Sequence, residues 1–275
     1  MKIMPELPEV QTVVNYIRPL IIGKQLKRIK PLWLKTLHNF NNKDIKSIGP
    51  DKCVMDVYRR AKFIILKFKN HILAIHLRMT GKLYLSKQHT YSKYITAVLE
   101  FKDGESLIFE DVRKFGRIYF YKNLNVINEK HGPEPLDKNF SADLLITMIK
   151  SKKRNIKALL LDQSFLSGLG NIYVDESLWK SRIHPNSISN EIPIKNITLL
   201  HRNIQTILKD AIDSQGTTII DFSVNGESGH YANKLHVYGH NKKPCANCNN
   251  KIIKLKIAGR GTYVCLKCQK KYKKR

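Results

Sequence analysis

With 275 residues and 42% hydrophobic content, the chain can bury a core and divide into two domains, which excludes a disordered polymer. Its 49 Lys and Arg against 22 Asp and Glu give a formal charge of +27, an excess that calls for an anionic polymer as partner. A membrane is the weaker partner, because no apolar run nears the roughly 18 residues of a spanning helix and the N-terminus lacks the apolar stretch of a signal peptide.

The chain opens Met4-Pro5-Glu6-Leu7-Pro8-Glu9-Val10. A proline following a start methionine becomes a secondary amine once the methionine is trimmed, and such an amine attacks a sugar or carbonyl carbon to give an iminium. Glu6 is placed to move protons at that centre. The competing reading is a helix start, where proline and acids are both favoured. Val10, Val13, Val14 and Ile17 recur at helical spacing and predict a helix from about Pro8 to Arg18. Cys53, in an apolar-leaning stretch, reads as a buried small hydrophobe.

From Val54 to Tyr121 the pattern turns to strands: Phe63–Phe68, Ile72–Leu77, Ala97–Phe101, Ser106–Phe109 and Arg117–Phe120, with turns at Asn70-His71 and Asp103-Gly104. This predicts an antiparallel sandwich or barrel. Residues 131–136 (His-Gly-Pro-Glu-Pro-Leu) break the pattern and mark a linker. Helices follow: Ser141 or Asp143 to Lys150, Asn155 to Asp162, one capped by Asn171 to about Ser181, and Asn196 to Ser214. Residues 216–231 carry Gly216, Gly226 and Gly229 and predict a mobile loop. From Asn241 onward there are 12 Lys and Arg and no acid.

Four of the five cysteines form Cys245-x2-Cys248-x16-Cys265-x2-Cys268, two knuckles with the spacing of a closed structural zinc site. Iron in the same four-sulfur cage is the competing occupant. Ile252-Ile253 and Thr262-Tyr263-Val264 predict a hairpin between the knuckles, with Arg260 at its tip between Gly259 and Gly261. Gly168-Leu169-Gly170-Asn171 opens a helix whose amides suit a phosphate. Met79, Arg113 and Phe115 come from two turns of the sheet region and together would wedge into a duplex in place of an extruded base.

In order along the chain, the Met4–Val10 motif, Arg59-Arg60-Ala61-Lys62, His76-Leu77-Arg78-Met79-Thr80-Gly81, Asp111-Val112-Arg113-Lys114-Phe115-Gly116, Gly168–Tyr173 and Val237-Tyr238-Gly239 before the four cysteines resemble formamidopyrimidine-DNA glycosylase. The resemblance runs from Met4 to about Lys270. It implies an α+β chain: an N-terminal antiparallel β-sandwich with flanking helices over 5–133, a linker at 134–138, a helix–two-turn–helix domain over 139–240 with a lesion-capping loop at 216–231, and a zinc ribbon over 241–275. It also implies a bacterial, cytoplasmic, monomeric enzyme of base-excision repair. Such an enzyme acts on damaged double-stranded DNA, with one structural Zn2+ and no catalytic cofactor. Pro5 matches the family's nucleophile and Glu6 its acid/base. Lys62 and Arg260 match residues assigned to the two eliminations. Met79, Arg113 and Phe115 match its void-filling set. His76, Tyr94, Arg154, Lys157, Asn171 and Tyr173 match its other DNA contacts.

Three departures stand out. Tyr94 and Thr96 occupy the place of a His-x-His pair. Lys114 replaces a second arginine, keeping charge without fork geometry. Met1-Lys2-Ile3 precedes the motif, and residues 1–4 are expected to be absent from the active enzyme, since an amide nitrogen at Pro5 is not a nucleophile. Two other readings remain at this stage: an endonuclease VIII-type enzyme for oxidised pyrimidines, and a non-catalytic zinc-ribbon DNA-binding protein.

Overall fold

The computed structural model describes residues 4–41, 53–87, 92–218, 223–224 and 227–273. The chain forms two compact units, Met1–Glu129 with Ser214–His230, and Lys130–Asp213 with Tyr231–Arg275.

The first unit begins with helix α1 (Leu7–Ile21), which extends one residue before and three residues beyond the span that the valine spacing predicts. It runs through Pro19 because Ile17 and Ile21, one turn apart, are both fully buried and hold the last turn down. Two sheets follow. The first pairs β1 (Leu26–Pro31), β7 (Ile95–Phe101), β8 (Ser106–Asp111) and β6 (Gly81–Ser86) in that spatial order, all antiparallel. The second runs β2 (Leu37–His38), β9 (Arg117–Tyr121), β5 (Ile72–His76), β4 (Phe63–Lys67) and β3 (Asp56–Arg60). It is antiparallel except for the β2–β9 pair, which is parallel.

One core joins them. Ile64, Leu66, Leu73, Ile75 and Ile118 of one sheet pack with Leu83, Leu99, Phe101, Leu107 and Phe109 of the other, and α1 adds Val10, Val13, Val14 and Ile17. The alternate residues of β4 and β5, Ile65, Ile72 and Ala74, face outward onto Ile127 of the short helix α2 (Asn125–Asn128). Each buried aliphatic side chain contributes about 1.5–3 kcal/mol, so the shared core dominates the unit's stability. Cys53 is a correction to the sequence reading: it is exposed, on an isolated bridge to Gln25, with its thiol donating to the Gly23 carbonyl at 3.4 Å.

The second unit is helical. α3 (Ala142–Lys150) is capped by the Ser141 hydroxyl, which accepts the Leu144 N–H at 3.1 Å, and α4 (Ile156–Leu161) by Asn155, which accepts the Ala158 N–H at 2.9 Å. α5 (Asn171–Lys180) and α6 (Ile194–Asp213) complete the bundle. Asn171 is not the cap predicted: Gly170 takes that position and Asn171 is the first helical residue. α6 starts two residues earlier than predicted, because the Pro193 carbonyl accepts the Asn196 and Ile197 N–H groups. β12 (Ile253–Ile257) and β13 (Arg260–Val264) form the ribbon hairpin. In the predicted loop, the described residues include a two-residue ladder, β10 (Ser223–Val224) with β11 (Glu227–Ser228). Among the described residues no helix is long and apolar enough to cross a membrane.

Candidate functional site

In the first unit, Pro5 and Glu6 are buried immediately before α1, and Glu6 is 2% exposed. Glu6 is the N-cap of a capping box: its N–H donates to Glu9 Oε2 at 2.8 Å, and its carboxylate receives the Glu9 N–H. Sequence reasoning missed a second function of Glu9. Its Oε1 accepts the Thr217 N–H at 2.8 Å, across 208 positions, and so ties the proline motif to the root of the 216–231 loop. That root is tight, because a Cβ on Gly229 would lie 2.3 Å from the Gly216 carbonyl oxygen.

Beside this motif lies an open cleft of about 540 Å³ lined by Met4, His38, Arg78, Met79, Phe115, Arg117 and Tyr119. The void-filling set meets here. Arg113 Nη1 donates to Met79 Sδ at 2.7 Å, and the guanidinium lies 4.6 Å from the Phe115 ring centroid. Phe115 remains 49% exposed, presenting an apolar face to solvent. Asp111, 1% exposed, holds the two contributing turns together. Its carboxylate accepts the Thr80 hydroxyl, the Arg113 N–H at 3.1 Å and the Gly116 N–H at 2.6 Å. Gly116 has to be glycine, since a Cβ there would sit 2.4 Å from the Phe109 ring. Lys114, next in the loop, has φ +56° and its ammonium lies 4.9 Å from the Trp33 ring centroid, a support that no motif announced.

Lys62 sits in the two-residue β3–β4 turn, 5% exposed, after Ala61 with φ +52°. His76 ends β5 at 8% exposure; its Nδ1 accepts the Arg78 N–H at 3.0 Å and its ring meets Phe63 edge-on at 4.8 Å. Tyr94 is half-buried, with Lys93 5.3 Å from its ring centroid. Thr96 is 1% exposed and donates to the Phe109 carbonyl at 3.1 Å, so it belongs to the sheet and offers no surface to a ligand.

In the second unit the predicted residues gather where α5 meets the ribbon. Asn171 Nδ2 donates to the Gly261 carbonyl at 2.9 Å, so that donor is engaged by the ribbon in this conformation. Two expected DNA contacts require correction. Lys157 is fully buried: its ammonium donates to Asp175 at 2.7 Å and the Thr262 hydroxyl at 2.8 Å. Tyr173 is also fully buried, its ring 6.0 Å from Tyr231. Lys157 ties the helices to the ribbon and Tyr173 packs beside Tyr231, and neither presents a contact surface. Asp175 further accepts the Tyr263 N–H at 3.0 Å, and burial pushes its carboxyl up to about 6 against the pull of Lys157. Arg154 is exposed and pairs with Asp162 at 2.9 Å. The Ser164 hydroxyl and Arg154 hold the Asp162 carboxyl below its ordinary value. Arg260 is exposed as the first residue of β13; the tip itself is Ala258-Gly259, with φ of +52° and +70°.

The four cysteine sulfurs lie within 4.8 Å of one another, with Cys245–Cys268 at 3.9 Å and Cys248–Cys265 at 3.5 Å. A tetrahedral ion with metal–sulfur bonds of about 2.3 Å needs sulfurs about 3.8 Å apart, so the cage fits zinc. Residues 242–271 match the model of a zinc finger found in FPG and IleRS.

Residues 4–118 match the model of the formamidopyrimidine-DNA glycosylase N-terminal domain, and residues 131–223 that of its H2TH domain. The chain belongs to the formamidopyrimidine-DNA glycosylase family. It is 40% identical to the formamidopyrimidine-DNA glycosylase of Lactobacillus helveticus, over 98% of this chain and all of that protein. Identity to the Bacillus licheniformis enzyme is 36%, over 98% and 100%. Its structure resembles that of Lactococcus lactis Fpg in complex with DNA containing an abasic site, with a TM-score of 0.89 at 35% identity, covering 97% of this chain and all of that one. A complex of the same Lactococcus protein with DNA containing N7-benzyl-Fapy-dG gives the same values. Formamidopyrimidine-DNA glycosylases are therefore its relatives over nearly the whole length, and the zinc ribbon is part of that shared plan.

Proposed function

We propose that this chain excises oxidised purines, 8-oxoguanine and formamidopyrimidines, from duplex DNA and then cuts the strand at the resulting sugar. The observation that carries the proposal is the Pro5-Glu6 motif buried at the start of α1 in the same unit as a preassembled Met79–Arg113–Phe115 cluster. A nucleophile for the sugar and a plug for the vacated stack are what removal of an extruded nucleotide requires.

In this reading the Pro5 secondary amine attacks C1′. The bond from C1′ to the damaged base breaks, the base leaves with a proton, and Glu6 protonates the ring oxygen as the sugar opens. The iminium acidifies the C2′ hydrogen. Loss of that proton, assisted by Lys62, expels the 3′ phosphate, and a second elimination assisted by Arg260 expels the 5′ phosphate. No water attacks phosphorus. Arg113 faces the base left behind, Phe115 and Met79 fill the gap, and His76, Tyr94, Arg154 and Asn171 grip the backbone. The net charge of +27 supplies long-range attraction to DNA. The setting is the bacterial cytoplasm, where the DNA is, and the working unit is one chain.

The chemistry requires a Pro5 nitrogen freed of residues 1–4. Borohydride trapping on a duplex with 8-oxoguanine opposite cytosine tests it. The expected product is a covalent adduct whose mass places DNA on a chain starting at Pro5. Adducts that survive blocking of the terminal amine would move the nucleophile to a lysine. Absence of any adduct would favour a pure DNA-binding protein, and preference for thymine glycol would favour the oxidised-pyrimidine enzyme.

A further inference from the structure

Three acceptors or donors on one face of α5 hold the ribbon, one helical turn apart: Asn171 to Gly261, Asp175 to Tyr263, and Trp179 to Cys245. The third contact is made to a metal ligand. Trp179 is 4% exposed, and its indole Nε1–H donates to Cys245 Sγ at 3.4 Å. An indole N–H is a donor only, and this one, buried, takes a cysteine sulfur as its acceptor. The ring's position is set independently. Its face stacks on His236 with centroids 4.6 Å apart and planes at 23°. His236 in turn donates its backbone N–H to Glu176 at 3.0 Å, and Glu176 also accepts the Val237 N–H at 2.9 Å and the Tyr238 N–H at 2.8 Å. Glu176 and Trp179 lie on the same helix, so α5 carries both the donor and the clamp that aims it.

We propose that Trp179 is a positioning residue for the zinc site, whose N–H stabilises the Cys245 thiolate while it is bound to the metal. A thiolate that accepts a hydrogen bond carries less charge toward solvent and toward incoming protons. Protonation or alkylation of the ligand, the step that releases the metal, is thereby slowed. Partners of this kind, one bond removed from the metal, typically change metal retention by about 10–100-fold. The same contact links the ribbon's retention to the helix that begins with Asn171, so the metal and the DNA-gripping face of this unit depend on one helix.

The test uses the zinc-loaded full chain. Trp179→Phe keeps an aromatic ring against His236 and removes the N–H. We expect about tenfold faster transfer of zinc to a competing chelator. In the Co2+-substituted protein, the sulfur-to-cobalt charge-transfer band should shift. His236→Ala removes the stacking partner that helps aim the ring and leaves the N–H, and should speed zinc release clearly less than Trp179→Phe does. A second measurement needs no variant at the site. The chain has 2 tryptophans, Trp33 and Trp179, so its nitrogen-15 spectrum shows two indole N–H signals. The Trp179 signal should move when Cd2+ replaces Zn2+, and the Trp33 signal should not. Wild-type release together with an unshifted cobalt band in Trp179→Phe would overturn the proposal. So would an equal effect of His236→Ala, which would assign the role to packing, or a Trp179 signal indifferent to the metal.

Discussion

Replacing Lys157 by Met puts the buried ion pair beneath the ribbon to a quantitative test. Both side chains are 0% exposed and meet at 2.7 Å. Removing the cation leaves Asp175 buried with the Tyr263 N–H and without its counter-charge, and such a loss costs about 3–5 kcal/mol. Protonation limits that cost. Neutralising a carboxyl of ordinary value 3.8 costs about 1.36 kcal/mol for each pH unit above it, so roughly 5 kcal/mol at pH 7.5 and 2 kcal/mol at pH 5.5. In the wild type the folded carboxyl already sits at about 6, above its ordinary value. Its contribution to stability is therefore full below about pH 4 and lost as pH rises through 6. Without Lys157 the carboxyl rises further and the loss continues to higher pH. The wild type has itself lost about 3 kcal/mol by pH 7.5, so the gap between the two proteins should widen from under about 1 kcal/mol at pH 5.5 to about 2 kcal/mol at pH 7.5. Urea unfolding followed by Trp179 emission in a Trp33→Phe background reads it. A penalty equal at both pH values, or below about 1 kcal/mol at pH 7.5, would refute the reasoning. The double variant Lys157→Met with Asp175→Asn should recover most of the loss, because the charge is then gone while an acceptor for the Tyr263 N–H remains.

Glu9→Ala removes the acceptor of the Glu6 and Thr217 N–H groups, and a buried donor that loses its acceptor costs about 1–3 kcal/mol. The melting temperature should fall accordingly, and an unchanged value would show that the two donors are satisfied elsewhere. Asp111→Ala releases the turns carrying Met79 and Arg113. Discrimination between cytosine and adenine opposite 8-oxoguanine should then fall by at least fivefold, whereas an unchanged ratio would mean the cluster holds itself. Arg260→Ala should lower the slope of log affinity against log salt by about 1, the signature of one lost phosphate contact. An unaltered slope would place Arg260 off the backbone.

The strands that the sequence announced are those whose side chains are apolar on both sides: Ile64, Ile65 and Leu66 of β4, and all five residues of β5, are buried. β1, β3 and β6 were not legible for the opposite reason. β1 buries only Leu26 and Ile29 among lysines and an arginine, and a bulge between Leu26 and Arg28 breaks the two-residue period that would reveal it. Helix ends failed where a distant partner took over the residue. Asn171 has the side chain of a cap, but the Gly261 carbonyl 90 positions away claims its amide. Similarly Lys157 reads as a surface cation until Asp175 and Thr262 enclose it.

What could not be read at all is the use of the acids. A count treats 22 carboxylates as a partial offset to 49 cations on the surface. Yet Glu6, Glu9, Asp111, Asp175 and Glu176 are all buried, and each accepts at least one backbone N–H. A carboxylate has about four acceptor sites, so one side chain can fix a whole turn. The turns fixed here carry Pro5, the root of the 216–231 loop, the Arg113 cluster, the ribbon strand after Arg260, and residues 236–238. The acids near the functional residues therefore do not dilute the cationic surface. They lie beneath it and hold its shape, which leaves the outward charge more positive than a simple offset suggests. Neutral replacements at these five positions should accordingly disturb geometry and stability more than they disturb long-range attraction to DNA.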